Sequence, residues 1–320
     1  MPQTCTPRYP CDLHCHTTRS DGNDTPRELI EQAARLGMYA LAITDHDVPP
    51  PVELPLEGGA TIESAAYAAG QGVRLVLGYE FSCDTDVDDV HICGYNCEWT
   101  HPDMLAEVAA AQESKTAAYE ELCRRLTALG LPVDWEADVL GVDSGEGGGP
   151  VRAPEDVQRK HIFEAMAARG HAPTWSAAKL VVRNNPELNV RRRKIDPREA
   201  IALIHRCGGI AVLAHPYLID EVIEAPGRTP QERAEYVEGL LDAGLDGIEA
   251  RYTYDKTTYR GTLTPEEIEQ RVRGDYSGRV RFFSGGSDYH ADHKKGVKLV
   301  RYLGERGLTV AEFEAVFGSP

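Results

Sequence analysis

Near its start the chain places two cysteines, two histidines and two aspartates in one short stretch, CDLHCHTTRSDG, from Cys11 to Gly22. In an extended strand successive side chains alternate, so Asp12, His14 and His16 share one face while Leu13 and Cys15 share the other. An aspartate, two aligned imidazoles and a following Asp21-Gly22 turn could open a polynuclear metal centre, provided partners follow downstream. They do: TDHD brings Asp45 and His46, GYE brings Glu80, VHICGYN brings His91, LAHP brings His215 and GSDYH brings Asp288 and His290. Imidazole and carboxylate in combination suit Zn²⁺, Mn²⁺ or Fe²⁺. The other candidate pair, Cys93 and Cys97, reads as small apolar side chains near a strand.

Such a set needs a scaffold that delivers one or two side chains from each of many elements to one place. Thr25-Pro26-Arg27-Glu28 has the form of a capping box with proline at the first helical position, and Leu29, Ala33 and Leu36 follow at helical spacing before Gly37. YALAITDHD then reads as a buried strand ending in polar residues, and the same event recurs at Glu80, at His215, at Glu249 in DGIEARY and at Asp288. Helical patterns at 197–209, 232–244 and 265–272 separate these strands. Strand, helix and strand, with ligands at the strand ends, predicts a parallel α/β barrel with its site on the C-terminal face. The rhythm breaks between about residues 100 and 195, where a long helical stretch at 102–129, a glycine run at 147–149 and a helix within PEDVQRKHIFEAMAARG replace it. Residues 1–99 and 196–320 are therefore expected to form the barrel, and 100–195 a helical insertion over its mouth.

Composition narrows the function classes. The chain of 320 residues carries a formal net charge of −17, which repels polyanions and argues against a nucleic-acid polymer as partner. No run of about 18 apolar residues is present to span a bilayer, and MPQTCTPRYP lacks the apolar core of a signal peptide. A cytoplasmic protein is expected, with its eight cysteines reduced; no feature speaks to its oligomeric state.

The motifs Asp12-Leu13-His14-Cys15-His16, Ser20-Asp21-Gly22, Thr44-Asp45-His46, Gly78-Tyr79-Glu80, Ala214-His215-Pro216 and Gly286-Ser287-Asp288-Tyr289-His290 together resemble the PHP (polymerase and histidinol phosphatase) family, in particular its stand-alone small-molecule phosphoesterases. The resemblance implies a distorted (β/α)7 barrel holding two to three divalent metal ions. It implies that His14, His16, Glu80 and Asp288 hold one cation, that Glu80 bridges to a second held with His91 and His215, and that Asp21, His46 and His290 complete a third site. Asp45 is expected among the catalytic residues, as a ligand or, the preferred reading, as a carboxylate orienting His46, and Asp12 to stand behind the ligands.

Many such members carry Arg-Pro-His-Ile in the insertion, where this chain has Arg159-Lys160-His161-Ile162. Arg159 and His161 are expected to contact a substrate phosphate, and Arg251 and Tyr252 to line the pocket. His215 or His161 is the expected general acid. The basic run at 191–194 is either a solvated face or a contact for a second phosphate. The resulting expectation is a phosphoesterase acting on a monoester, or a cyclic or linear diester, of a small phosphorylated metabolite such as a nucleotide or sugar phosphate. Alternatives are a histidinol-phosphate phosphatase, an exonuclease and an inactive metal-binding regulatory protein.

Overall fold

In the computed structural model, which describes residues 6–142, 151–225, 227, 229–294 and 298–319, the chain divides into two compact units: 1–106 with 195–320, and 107–194. The first is built on a sheet of seven strands: β1 (Cys11–Asp12), β2 (Ala40–Ile43), β3 (Arg74–Ser82), β4 (His91–Tyr95), β5 (Ile210–Leu213), β6 (Gly247–Arg251) and β7 (Phe282–Gly285). Their order in the sheet is their order in the sequence. The described helices of this unit are α1 (Pro26–Arg35), α2 (Ser64–Gly70), the start of α3 (Pro102–Ala128), α6 (Pro197–Arg206), α7 (Arg233–Asp242), α8 (Pro265–Asp275) and α9 (Val310–Phe317). Helix α1 starts where its capping box requires: Thr25 Oγ1 accepts from the Glu28 amide at 3.2 Å and the Glu28 carboxylate accepts from the Thr25 amide at 2.7 Å.

One strand departs from the parallel expectation. β4 runs antiparallel to both β3 and β5, while the remaining neighbours are parallel. Its site-bearing residue, His91, therefore lies at the start of the strand, which returns the chain from the same end that β3 reaches with Glu80. A hairpin rather than a crossover helix makes this connection.

The sheet is nearly closed into a barrel, and a buried carboxylate bridges its seam. The amide of Leu13 donates to Gly285 O at 3.2 Å, and that of His16 to Tyr289 O at 2.8 Å. Asp12, fully buried, accepts from the amides of Ser287 (2.9 Å) and Gly304 (2.9 Å) and from the Ser287 hydroxyl (2.5 Å). Burial pushes its carboxyl up to about 6 in spite of these donors. Leu29, Ile30 and Ala33 of α1 pack with Leu41 and Ile43 of β2, and a second cluster joins Leu13, Val76, Cys93, Tyr95 and Val212 to Phe313 of α9. Such burial of Leu, Ile, Val and Phe is worth about 1.5–3 kcal/mol per side chain.

The second unit has its own core. The rest of α3, α4 (Arg159–Ala168), α5 (Trp175–Arg183) and a π-helical turn at Trp135–Leu140 surround Leu122, Leu126, Val139, Ile162, Phe163 and Met166. The glycine run at 147–149 lies outside the described residues. Within the basic run, Arg193 pairs with Glu107 at 3.5 Å and its amide donates to Ser114 Oγ. Seven described cysteines are buried and free. Among the described residues no helix is long and apolar enough to cross a membrane.

Candidate metal centre

Four neighbouring strands bring side chains to one carboxylate. Glu80, at 0% exposure near the end of β3, presents Oε2 to His14 Nε2 (3.2 Å) and His16 Nε2 (3.2 Å), which follow β1, and to His46 Nδ1 (3.0 Å), which follows β2. Its Oε1 faces His91 Nδ1 of β4 at 2.9 Å and His215 Nε2, just beyond β5, at 3.2 Å. Asp288, following β7, turns Oδ1 toward His16 Nε2 (3.1 Å), His290 Nδ1 (3.4 Å) and His14 Nε2 (3.6 Å). Asp21 in turn meets His290 Nε2 at 3.0 Å. The sequence-predicted ligands fall into four overlapping groups whose donor atoms lie within 4.8 Å of one another: His16, Asp21, His46 and His290; His14, His16 and Asp288; His14, Glu80 and His215; His46, Glu80 and His91. His46 thus stands beside Glu80 and His91 as well as beside Asp21 and His290.

The local backbone is bent to make this possible. His215 (φ 29°) and Asp288 (φ 52°) are non-glycine residues in the left-handed region, where single residues cost about 1–3 kcal/mol and cluster at functional sites.

Neighbouring imidazoles and an arginine keep the buried carboxylates of the cluster ionised. Burial alone would raise the Glu80 carboxyl, but the imidazoles of His46, His14 and His91 outweigh it and hold the group well below the usual carboxylate range. Burial is overcome at Asp288 chiefly by Arg301 and His290, and at Asp21 by His290, so both are also held low. His91 is pushed down to about 4, by burial and by neighbouring His215 and His46, against the pull of Glu80. Five buried donor atoms, His14 Nε2, His16 Nε2, His46 Nδ1, His215 Nδ1 and Glu80 Oε2, have no directed hydrogen bond. Orphaned buried nitrogens and a carboxylate oxygen are costly in a protein interior and are what a divalent cation requires. The donor set fits divalent metal ions.

Two side chains behind this shell, Glu249 and Arg301, went unassigned in the sequence. Glu249 of β6 contacts His14 Nδ1 at 3.2 Å. Arg301 donates to Asp288 Oδ2 at 2.5 Å and to Asp292 at 2.8 Å, and the Tyr252 hydroxyl donates to the same Asp288 oxygen at 2.7 Å. Oδ2 is thereby held from outside while Oδ1 faces the histidines. Glu249 was legible as a strand-end acid; Arg301, in KLVRYLG, carries no motif.

Three expectations need correction. Asp45 does not orient His46: its carboxylate accepts from the Thr17 amide (2.7 Å), the Thr17 hydroxyl (2.6 Å) and the Ser20 hydroxyl (2.6 Å), and so fixes the turn between His16 and Asp21. Its oxygens are committed to that turn, which removes Asp45 from the catalytic candidates. Arg251 does not offer its guanidinium to a substrate; it pairs with Glu269 of α8 and Glu312 of α9, both at 2.7 Å, and donates to Gly307 O. Tyr252, its neighbour, is the one that reaches the site, 5.1 Å from the His215 ring. His161, finally, is lowered to about 4 by burial and by the cations Arg152, Lys160 and Lys115, and its Nδ1 accepts from the Gln158 amide. A neutral imidazole near pH 7 can donate a hydrogen bond but is a poor general acid.

Arg251 supports a stability prediction. Burial works against the Glu312 carboxylate, yet donation from Arg251 and from Thr309 outweighs it and brings the group from 4.5 to about 2. A lowered carboxylate contributes stability above its unfolded value, and that contribution disappears as pH falls through about 2. Arg251→Ala should therefore lower unfolding free energy near pH 7 by about 1–3 kcal/mol, with the gap to wild type closing toward pH 2 and KM unmoved. Urea titrations across that range check it; a raised KM with unchanged stability would return Arg251 to the substrate pocket.

Comparison with known proteins agrees with this geometry. The PHP domain model matches residues 12–206. A 5'-3' exoribonuclease of Haemophilus influenzae is 30% identical over 207 residues, 64% of this chain and 68% of its own. A phosphoribosyl 1,2-cyclic phosphate 1,2-diphosphodiesterase of Eggerthella lenta is 30% identical over 288 residues, covering 87% of this chain and 93% of the relative. A 3',5'-nucleoside bisphosphate phosphatase of Chromobacterium violaceum is 28% identical over 291 residues, covering 89% and 88%. Among solved structures, a proposed metal-dependent phosphoesterase of Bifidobacterium adolescentis superposes with a TM-score of 0.68 at 25% identity, covering 98% of this chain and 96% of that one. With its seven-stranded barrel, its histidine and carboxylate cluster and a family match over more than half its length, the chain belongs to the PHP domain family.

Proposed function

We propose that this protein is a metal-dependent phosphoesterase acting on small phosphorylated metabolites, with cyclic or linear phosphodiesters and the monoesters they yield as its substrate class. One observation carries the reading: Glu80, buried and ionised, faces three imidazole nitrogens with one oxygen and two with the other, so that each of its oxygens would be available to a cation held with different histidines. His14, His16, His46, His91, His215, Asp21, Asp288 and His290 would hold two to three Mn²⁺, Zn²⁺ or Fe²⁺ ions with it. Bound there, such cations polarise phosphoryl oxygens and lower the pKa of water enough to make it a nucleophile near neutral pH. The chain's own contribution is to keep Glu80, Asp288 and Asp21 ionised, to fix Asp288 from behind with Arg301 and Tyr252, and to exclude bulk water from the inner donors. His215 directs Nε2 toward Glu80 and keeps Nδ1 without a directed hydrogen bond, and that second nitrogen is the proposed source of the leaving group's proton. Arg159, exposed in the first turn of α4, and His161 as a neutral donor are the proposed phosphate contacts.

Relatives acting on a cyclic phosphate diester and on a nucleoside bisphosphate, each aligned along most of both chains, support this substrate class. The exoribonuclease relative supports a second reading, cleavage of short RNA from an end, over a smaller share of this chain. Protein loaded with Mn²⁺ or Zn²⁺ should release phosphate from nucleoside bisphosphates, or open a cyclic phosphate, faster than it shortens oligoribonucleotides. Faster cleavage of oligoribonucleotides at every length would replace the small-molecule reading. Arg159→Ala should raise KM and lower kcat/KM by about 10- to 100-fold, the loss of one charge-assisted contact; unchanged kinetics would remove Arg159 from the site.

A further inference from the structure

Among the buried acids that the donor set does not use, Glu249 touches two of its histidines. Glu249 is 3% exposed, in the middle of β6, and among the described residues no lysine or arginine pairs with it. Its carboxylate lies 3.2 and 3.4 Å from His14 Nδ1, and its Oε2 accepts from the His215 amide at 2.8 Å. His14 and His215 come from strands on opposite sides of the sheet order, yet one carboxylate touches both. On its other edge, His14 directs Nε2 toward Glu80 Oε2 and Asp288 Oδ1 without a directed hydrogen bond.

We infer that Glu249 is a positioning residue that fixes the tautomer of His14 and the backbone of His215, so that both present nitrogen lone pairs to the cations. The inference rests on the metal-dependent reading above. A carboxylate facing Nδ1 stabilises the proton there, which leaves Nε2 as the only free lone pair of His14 and raises its basicity. The second bond pins the His215 amide, at the residue whose φ of 29° most needs an external hold. A single glutamate thus sets one ligand through its ring and another through its main chain.

Glu249→Gln separates this from simple packing, because the side chain keeps its shape. The amide keeps only one acceptor oxygen, which must serve the His215 amide and, at the longer 3.4 Å approach, His14 Nδ1–H without the carboxylate's charge, and if the NH₂ group faces His14 it demands the opposite tautomer. Two measurements apply, neither of them turnover. Chelator competition with Zn²⁺ should show affinity weakened by about 10- to 100-fold in the variant, while the urea midpoint of the metal-free protein stays close to wild type. In Zn²⁺-loaded wild type, ¹⁵N spectra should show His14 protonated at Nδ1 with Nε2 coordinated.

A variant that binds Zn²⁺ as wild type does, or one that loses metal-free stability with unchanged affinity, would overturn the inference and leave Glu249 as packing. Coordination of His14 through Nδ1 in wild type would overturn it even if the variant failed to fold. Absence of Zn²⁺ binding by wild type would instead overturn the metal-dependent reading, and this inference with it.

Discussion

Glu80→Gln should cost about 1000-fold or more in turnover, with fewer bound metal equivalents per chain and little change in secondary structure. Elemental analysis beside steady-state hydrolysis reads both. The size follows from the number of partners a single carboxylate serves: five imidazole nitrogens lie within 3.2 Å of its two oxygens. The amide carries no negative charge, so the positive field of the cations is no longer compensated at the centre of the cluster. One of its two ends would also present N–H donors to imidazole nitrogens, or to cations, that need an electron pair. Losses of about 100- to 1000-fold accompany removal of one preorganised electrostatic contact, and here a charge and a shared ligand go together. Wild-type metal content and turnover in this variant would end the account of Glu80 as the shared ligand.

Gly286→Ala should be severely damaging although it removes no chemistry. A Cβ at this position would lie 2.2 Å from His14 Cβ, 2.6 Å from His14 N and 2.9 Å from His14 Cα. These are main-chain or near-main-chain atoms of the strand bearing the first two ligands, so no rotamer change relieves the clash. The two segments must separate, and the seam bonds from Leu13 to Gly285 and from His16 to Tyr289 lie on either side of the point of separation. Overpacking of this kind costs about 1–3 kcal/mol and sometimes more, and the seam places this case at about 3 kcal/mol. Because catalytic geometry tolerates only about 0.5 Å of displacement, metal affinity should fall with stability. Denaturant unfolding of the metal-free protein and metal titration measure the two effects; a variant with normal stability and affinity would show that β1 and β7 are not held this closely.

The donors were legible because they recur in short polar runs at the ends of apolar strands, where chemistry and strand period coincide. The capping box of α1 and the three later helices were legible for a similar reason, since caps and apolar spacing are local signals. What stayed hidden is non-local. Arg301 acquires its role only by meeting Asp288 and Asp292 in space, and no spacing rule marks an arginine that stiffens an aspartate. Asp45 was visible but misassigned: adjacency to His46 suggested one partner, whereas strand alternation turns its carboxylate toward the turn at Thr17 and Ser20. Arg251 failed for the same reason. A residue at a strand end points inward or outward according to register, and the register shift between Glu249 and Arg251 sends the arginine toward the outer helices.

The reversed strand β4 has a consequence for how this centre can vary. In the β3–β4 ladder, Ser82 is opposite His91 and Glu80 is opposite Cys93, so His91 is placed by pairing register and not by its distance along the chain from Glu80. The connecting segment from 83 to 90 can lengthen or shorten without moving either side chain, provided the ladder keeps its pairing. A single residue inserted in β3 between Glu80 and Ser82 would do the opposite, turning Glu80 and the pair Ser82–His91 to opposite faces so that Glu80 and His91 no longer share the centre. Length variation is therefore tolerated on one side of Ser82 and forbidden on the other.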